Sequence, residues 1–204
     1  MFTEHVHSRS AKREATRQKV LAAAERLFRA QGFRVTRIRQ IAADAGVSTG
    51  TVMAVGDKDA LLVAIFDGWI ASVHRGRDAG HGADRAFPAV TAAVGDVLDL
   101  FEPFIAYFTL DPELSREYAA VIVRGNHKSA IFQNLALALI TELEAVLSRS
   151  ALTRADAARG ARVVYLAYLG LLTTAASGAI ETQDAIDQLR QVVSFVVPHP
   201  GGEE

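Results

Sequence analysis

The sequence predicts an all-α fold, and three observations carry that expectation. Apolar residues recur at helical three-and-four spacing along most of the 204 residues. No stretch alternates in the manner of a half-buried strand, and no internal repeat is found. Residues that start and stop helices fall where the periodic segments begin and end. Half of the chain is hydrophobic, which permits a sizeable core and argues against wholesale disorder.

The first helix is expected over about 14–31, with Val20, Ala24, Leu27 and Phe28 on one face and Gly32 as its stop. The polar residues before it lack the apolar stretch of a signal peptide and read as a disordered tail. Ile38, Ile41, Ala42 and Ala45 repeat the pattern on a second helix, with Thr36 as its N-cap, and Ser48 is placed to cap a third. A fourth helix, about 58–74, carries Leu62, Ile65, Phe66, Trp69, Ile70 and Val73 along one stripe. Three glycines in the run RGRDAGHGAD, residues 75–84, mark a loop. Further helices are expected at about 87–109, 113–125 and 129–149. Asp111-Pro112-Glu113 makes a strong helix start, with a cap, a first-turn proline and a carboxylate near the positive dipole end. Thr153 with Asp156 resembles a capping box opening a long helix to about 178, and Thr182 with Asp184 opens the last one. Val163 to Ile180 carries no charge, but it barely reaches the length of a membrane span and contains Thr173, Thr174 and Ser177. A buried helix explains it better.

Residues 36–55, TRIRQIAADAGVSTGTVMAV, read as a helix-turn-helix. Ala42 lets a second helix approach closely, and four residues later Gly46 can take the positive φ of a tight turn. Ile41, Ala45, Val47, Val52 and Val55 fill the small core between two steeply crossing helices. An ordinary αα corner shares the Ala-x-x-x-Gly spacing; the full set of positions points to a unit that places one helix in the DNA major groove. Charge agrees with this. Residues 1–60 hold 11 Lys/Arg against 6 Asp/Glu, a net of +5, whereas the remaining 144 hold 11 against 17, a net of −6. A basic head meets phosphate and an acidic body avoids it.

Residues 16–62, TRQKVLAAAERLFRAQGFRVTRIRQIAADAGVSTGTVMAVGDKDALL, resemble the N-terminal DNA-binding domain of the TetR/AcrR family of transcriptional regulators. The resemblance rests on an amphipathic first helix ending at Gly-Phe, a threonine, the helix-turn-helix, and Lys-acidic-Ala-Leu-Leu. It implies a DNA-binding domain over residues 1–56 and a ligand-binding, dimerising helical domain over 57–204. It further implies that Thr36 and Arg37 meet phosphates, that Ser48, Thr49 and Thr51 line the entry of the recognition helix, and that Gly50 allows close backbone approach. Lys58 would hold a phosphate at the start of the fourth helix. Hydroxyls, helix N-termini and lysines are common backbone clamps. The chain departs from the family where aromatic residues usually follow Gly-Thr: here stand Met53, Ala54, Val55 and Gly56. Met53 and Ala54 can touch a thymine methyl, but neither makes a bidentate hydrogen bond to a base. The expectation is modest direct readout, with more reliance on DNA shape and phosphate contacts.

For the larger half, the resemblance implies an inducer pocket among the helices. Its candidate lining is Trp69, Phe101, Phe104, Tyr107, Phe108, Tyr118, Arg124, His127 and Phe132, although an aromatic stripe at helical spacing also suits plain core. Such a pocket would prefer a largely apolar or aromatic ligand. The helices at about 154–178 and 183–197 would form a homodimer, which presents two recognition helices about one DNA turn apart. The implied activity is a cytoplasmic repressor that leaves its operator when a small molecule binds; the alternative is a DNA-bound architectural or protein-interaction module without an inducer. Nothing points to an enzyme. The chain has no cysteine, its one Glu-x-x-His pair (Glu4, His7) lies in the polar tail, and no cofactor or metal site is expected.

Overall fold

A computed structural model describes residues 2–78, 90–125, 130–150 and 152–197. Among these residues the chain is built of helices and turns with no strand: α1 (Phe2–Gln31), α2 (Ile38–Ala45), α3 (Thr49–Val55), α4 (Lys58–Asp78), α5 (Val90–Leu110), α6 (Pro112–Arg124), α7 (Ala130–Leu147), α8 (Arg154–Ala176) and α9 (Thr182–Val196). The all-α expectation holds. None of the described helices is long and apolar enough to cross a membrane.

The chain divides into two compact units, one of residues 1–69 with 117–129 and one of residues 70–116 with 130–204. Both α4 and α6 supply residues to each. In the first unit α1, α2 and α3 pack on one another around Val20, Ala24, Phe28, Phe33, Ile41, Ala42 and Val52, all buried. The Phe28 and Phe33 rings meet edge to face, centroids 5.0 Å apart. Leu61, Leu62 and Phe66 of α4 and Tyr118 and Val121 of α6 are buried in the same unit. In the second unit α5 packs against α7, α8 and α9, and α8 lies against both α7 and α9. Gly160 makes the α8–α9 approach possible, because a methyl there would stand 2.5 Å from Val196 Cγ1.

Most caps fall where the sequence places them. Asp111 accepts the Leu114 N–H at 3.0 Å with Pro112 opening α6, and Thr153 accepts the Asp156 N–H at 3.2 Å to open α8. Thr182 opens α9 as expected, with Asp184 in its first turn and Glu181 as the residue ahead of it. Three expectations need correction. α1 begins at Phe2 rather than near residue 14, so the expected tail is helical. Its SAKREATRQK run is rich in strong helix formers, joined by a Gln18–Glu14 side-chain hydrogen bond of 2.7 Å, but lacks the apolar stripe by which a helix is recognised. The expected loop at 75–84 starts late, since α4 continues through Gly76 to Asp78; residues 79–84 lie outside the described residues. Finally, the N-cap of α2 is Arg37 and not Thr36: Arg37 is extended (φ −114°, ψ 147°), and its N–H is received by Gln40 Oε1 at 2.8 Å.

Candidate nucleic-acid interface

The turn between α2 and α3 is set by Gly46. Its φ of +65° lies in the left-handed region, and the following Val47 N–H returns to Ala42 O at 2.9 Å to close the end of α2. Ser48 then caps α3. Its Oγ accepts from Thr51 N–H at 3.1 Å and lies 2.9 Å from Thr51 Oγ1. Val52 is fully buried and anchors the inner face of α3. The outer face is therefore Thr49, Gly50, Met53 and Ala54, all exposed and spaced as one side of a short helix. Gly50 is not required by internal packing: a methyl there would meet only Ser48 Oγ, at 3.7 Å. Gly56 has the opposite status, because a methyl would stand 2.8 Å from Ala60 Cβ. The departing segment Met53-Ala54-Val55-Gly56 thus ends where α3 and α4 are too close for any side chain.

The expected phosphate clamps are placed unequally. Arg37 is exposed at the start of α2. Thr36 is buried, and its hydroxyl donates to Gly32 O at 2.8 Å while accepting from Gln31 Nε2 at 3.0 Å. A hydroxyl just ahead of the N-cap finds the free carbonyls at the end of α1 rather than the N–H groups of α2. Lys58, expected at a phosphate, lays its ammonium against the same corner. Nζ donates to Phe33 O at 3.0 Å, Arg34 O at 3.2 Å and Thr36 O at 3.4 Å, and stands 4.4 Å from the Phe33 ring centroid. Asp57 Oδ1 accepts Ala60 N–H at 2.8 Å and caps α4. Sequence spacing did not expose this clamp, since its acceptors are backbone atoms more than twenty positions away.

The expected pocket residues are distributed over both units. Trp69 is half-buried and belongs to the first unit. Tyr118 stacks on Phe66 in the same unit, ring centroids 4.2 Å apart and nearly parallel, and Arg124 pairs with Asp59 at 3.5 Å. Glu117 receives Arg34 Nε at 2.5 Å. These three contacts bind the second half of α6 to α4 and to the turn after α1. In the second unit, Phe104 and Phe108 line a small space with Ile70, Tyr165, Tyr168 and Leu172, of about 40 Å³. Phe101 is fully buried against Tyr168, centroids 4.4 Å apart, and Tyr107 sets its ring edgewise to Phe108. Burial holds the Tyr165 phenol above its ordinary pKa. His127 lies outside the described residues; Phe132 falls on α7, and its side chain lies outside them too.

A short capped helix whose outer face is free, mounted on a glycine turn within a basic head, defines the helix-turn-helix class of DNA-binding regulators. The family model described as "Bacterial regulatory proteins, tetR family" matches residues 20–65, and this segment is a TetR-type DNA-binding domain. The whole chain has the fold of solved TetR-family regulators. A TetR transcriptional regulator from Rhodococcus sp. RHA1 superposes with a TM-score of 0.63 at 16% identity, over 90% of this chain and 95% of its own. Thermus thermophilus FadR, a TetR-family repressor solved with lauroyl-CoA, gives 0.62 at 18% identity over 92% and 99%. SmeT in complex with triclosan gives 0.55 at 20% identity over 92% and 93%. No curated protein matches the chain in sequence.

Proposed function

We propose that the protein is a dimeric, cytoplasmic transcriptional repressor that a small, largely apolar or aromatic ligand releases from its operator. The observation that carries the reading is the free face of α3, Thr49, Gly50, Met53 and Ala54, on a TetR-type domain. Thr49, Gly50, Thr51 and Met53 would face DNA, with Ser48, Arg37 and the backbone near Thr36 at phosphates. Lys58 would act from behind, holding the corner that aims α2 and α3. Residues 1–56 would be the DNA-binding domain and 57–204 the ligand-binding and dimerisation domain. Dimerisation through α8 and α9 is supported by Val163 and Leu166 on one exposed side of α8 and by Phe195 of α9, which is 91% exposed. Release would travel through α4, which runs from Lys58 to Asp78, and through the α6 contacts to Asp59, Phe66 and Arg34. A coupling of about 1–3 kcal/mol suffices for roughly 5–150-fold in affinity.

Two neighbours of this fold hold ligands with large apolar parts, lauroyl-CoA and triclosan, which supports the ligand class. Among the described residues, the small space between Phe104, Phe108 and Tyr168 suits a second reading, a DNA-bound interaction module without an inducer. Its 40 Å³ has room for about one water, whereas ligand pockets run to roughly 300–1,000 Å³. Selection of genomic fragments by the purified protein, then anisotropy titration of the best fragment with and without acyl-CoA and aromatic compounds, separates these readings. The repressor reading expects a palindromic fragment bound by two chains and released by one of the compounds. A palindrome that no compound releases leaves the interaction module, and sequence-blind binding overturns both.

A further inference from the structure

The stretch of α1 from Arg9 to Lys19 contributes no buried side chain to the core of the head. Nearly every residue in it is exposed, and among the described side chains the first buried position is Val20. This stretch nevertheless stands as helix beside α3, and between the two lies an open groove of about 630 Å³. Its α1 wall carries Arg9, Lys12, Arg13 and Arg17, and its α3 wall Thr51 and Ala54. The one acid in the groove, Glu14, accepts Gln18 Nε2 at 2.7 Å and lies 3.8 Å from Arg17. Among the described residues, none pairs with Arg9, Lys12 or Arg13. The cations recur at three-and-four spacing and so form a single stripe. At 1.5 Å per residue the stripe runs roughly 12 Å along α1.

From this geometry we infer that the N-terminal turns of α1 are a second DNA-contacting element, in which the sugar-phosphate backbone bordering the bases that face α3 lies in the α1–α3 groove, held by Arg9, Lys12 and Arg13. The inference rests on the DNA-binding reading above and adds a site to it. The occupant follows from position and charge. The groove opens beside Ala54, the edge of the exposed face of α3, and its cations outnumber its single acid. Phosphates of one strand rise about 3.4 Å per nucleotide along the duplex, so a stripe of this length spans about three of them. Such contacts carry no base preference; they strengthen binding to every sequence and set the register of α3.

The test replaces Arg9, Lys12 and Arg13 together by alanine in the full chain, a change that keeps helix propensity high. Far-ultraviolet circular dichroism checks the helix. Anisotropy titrations on the selected fragment and on a scrambled duplex follow, between about 50 and 200 mM salt. Each lost phosphate contact lowers the slope of log affinity against log salt by about 0.9, so the slope should become shallower by about 2–3. Affinity should fall to a similar extent on both duplexes, leaving their ratio unchanged. A conservative variant, Arg9→Lys with Arg13→Lys, should keep the wild-type slope. If the triple variant weakens the helix, the single charge reversal Arg13→Glu serves in its place and should still reduce affinity and slope. An unchanged slope in a folded variant overturns the inference while leaving DNA binding intact. Failure of the DNA-binding reading itself would be visible in the wild type alone.

Discussion

Replacing Lys58 by methionine removes an ammonium while keeping the length and apolar stem of the side chain. Two of its three carbonyl partners, Phe33 O at 3.0 Å and Arg34 O at 3.2 Å, are at full hydrogen-bond distance; Thr36 O at 3.4 Å is marginal. Hydrogen bonds that involve a charged group contribute about 1.5–3 kcal/mol each, and water can replace part of that where the corner is exposed. The Phe33 ring 4.4 Å away adds about 0.5–1 kcal/mol. A net loss of about 2–3 kcal/mol follows, which lowers the melting temperature by roughly 4–12 °C for a chain of this size. Thermal unfolding followed by circular dichroism reads this loss directly. Titration of DNA across salt supplies the second reading. A lysine occupied with carbonyls leaves the salt slope nearly unchanged, whereas a phosphate-holding lysine lowers it by about 0.9 when removed. A variant that melts like wild type and loses that slope would refute the clamp.

Three other outcomes follow from the geometry. Gly56→Ala places a methyl 2.8 Å from Ala60 Cβ, which cannot rotate away, and should cost about 1–3 kcal/mol in urea denaturation; adding Ala60→Gly should recover part of the loss. Gly50→Ala meets no such neighbour, so stability should hold or rise by up to about 1 kcal/mol while DNA affinity falls about tenfold, or about 1.4 kcal/mol; unchanged affinity would show that no backbone approach occurs there. Burial raises the Tyr165 pKa, so the folded state favours the neutral phenol. That contribution is complete below the unfolded value of about 10 and is lost as pH rises through the folded one. Urea midpoints at about pH 9 and pH 11 should therefore fall less in Tyr165→Phe than in wild type.

The all-α class, most helix ends and the helix-turn-helix are legible in the order of residues alone. These are short-range properties: an apolar stripe, a proline at a first turn, a glycine at positive φ and a capping hydroxyl act over three to eight residues. Gly46, Ser48, Val52, Pro112 and Thr153 each declare their roles to near neighbours in the chain. The early start of α1 was recorded in its helix propensities, but periodicity passes over it because an exposed helix needs no apolar face. Which long side chains meet is settled by how the helices pack. Lys58 finds carbonyls at positions 33 to 36, Tyr118 stacks on Phe66 and Arg124 reaches Asp59, because packing of the helix faces brings distant positions together. No spacing rule specifies such pairs. The same holds for the basic groove: its cations are plain in the sequence, yet their placement beside α3 depends on the angle at which α1 packs over the helix-turn-helix, set by the buried faces around Val20, Ala24 and Val52.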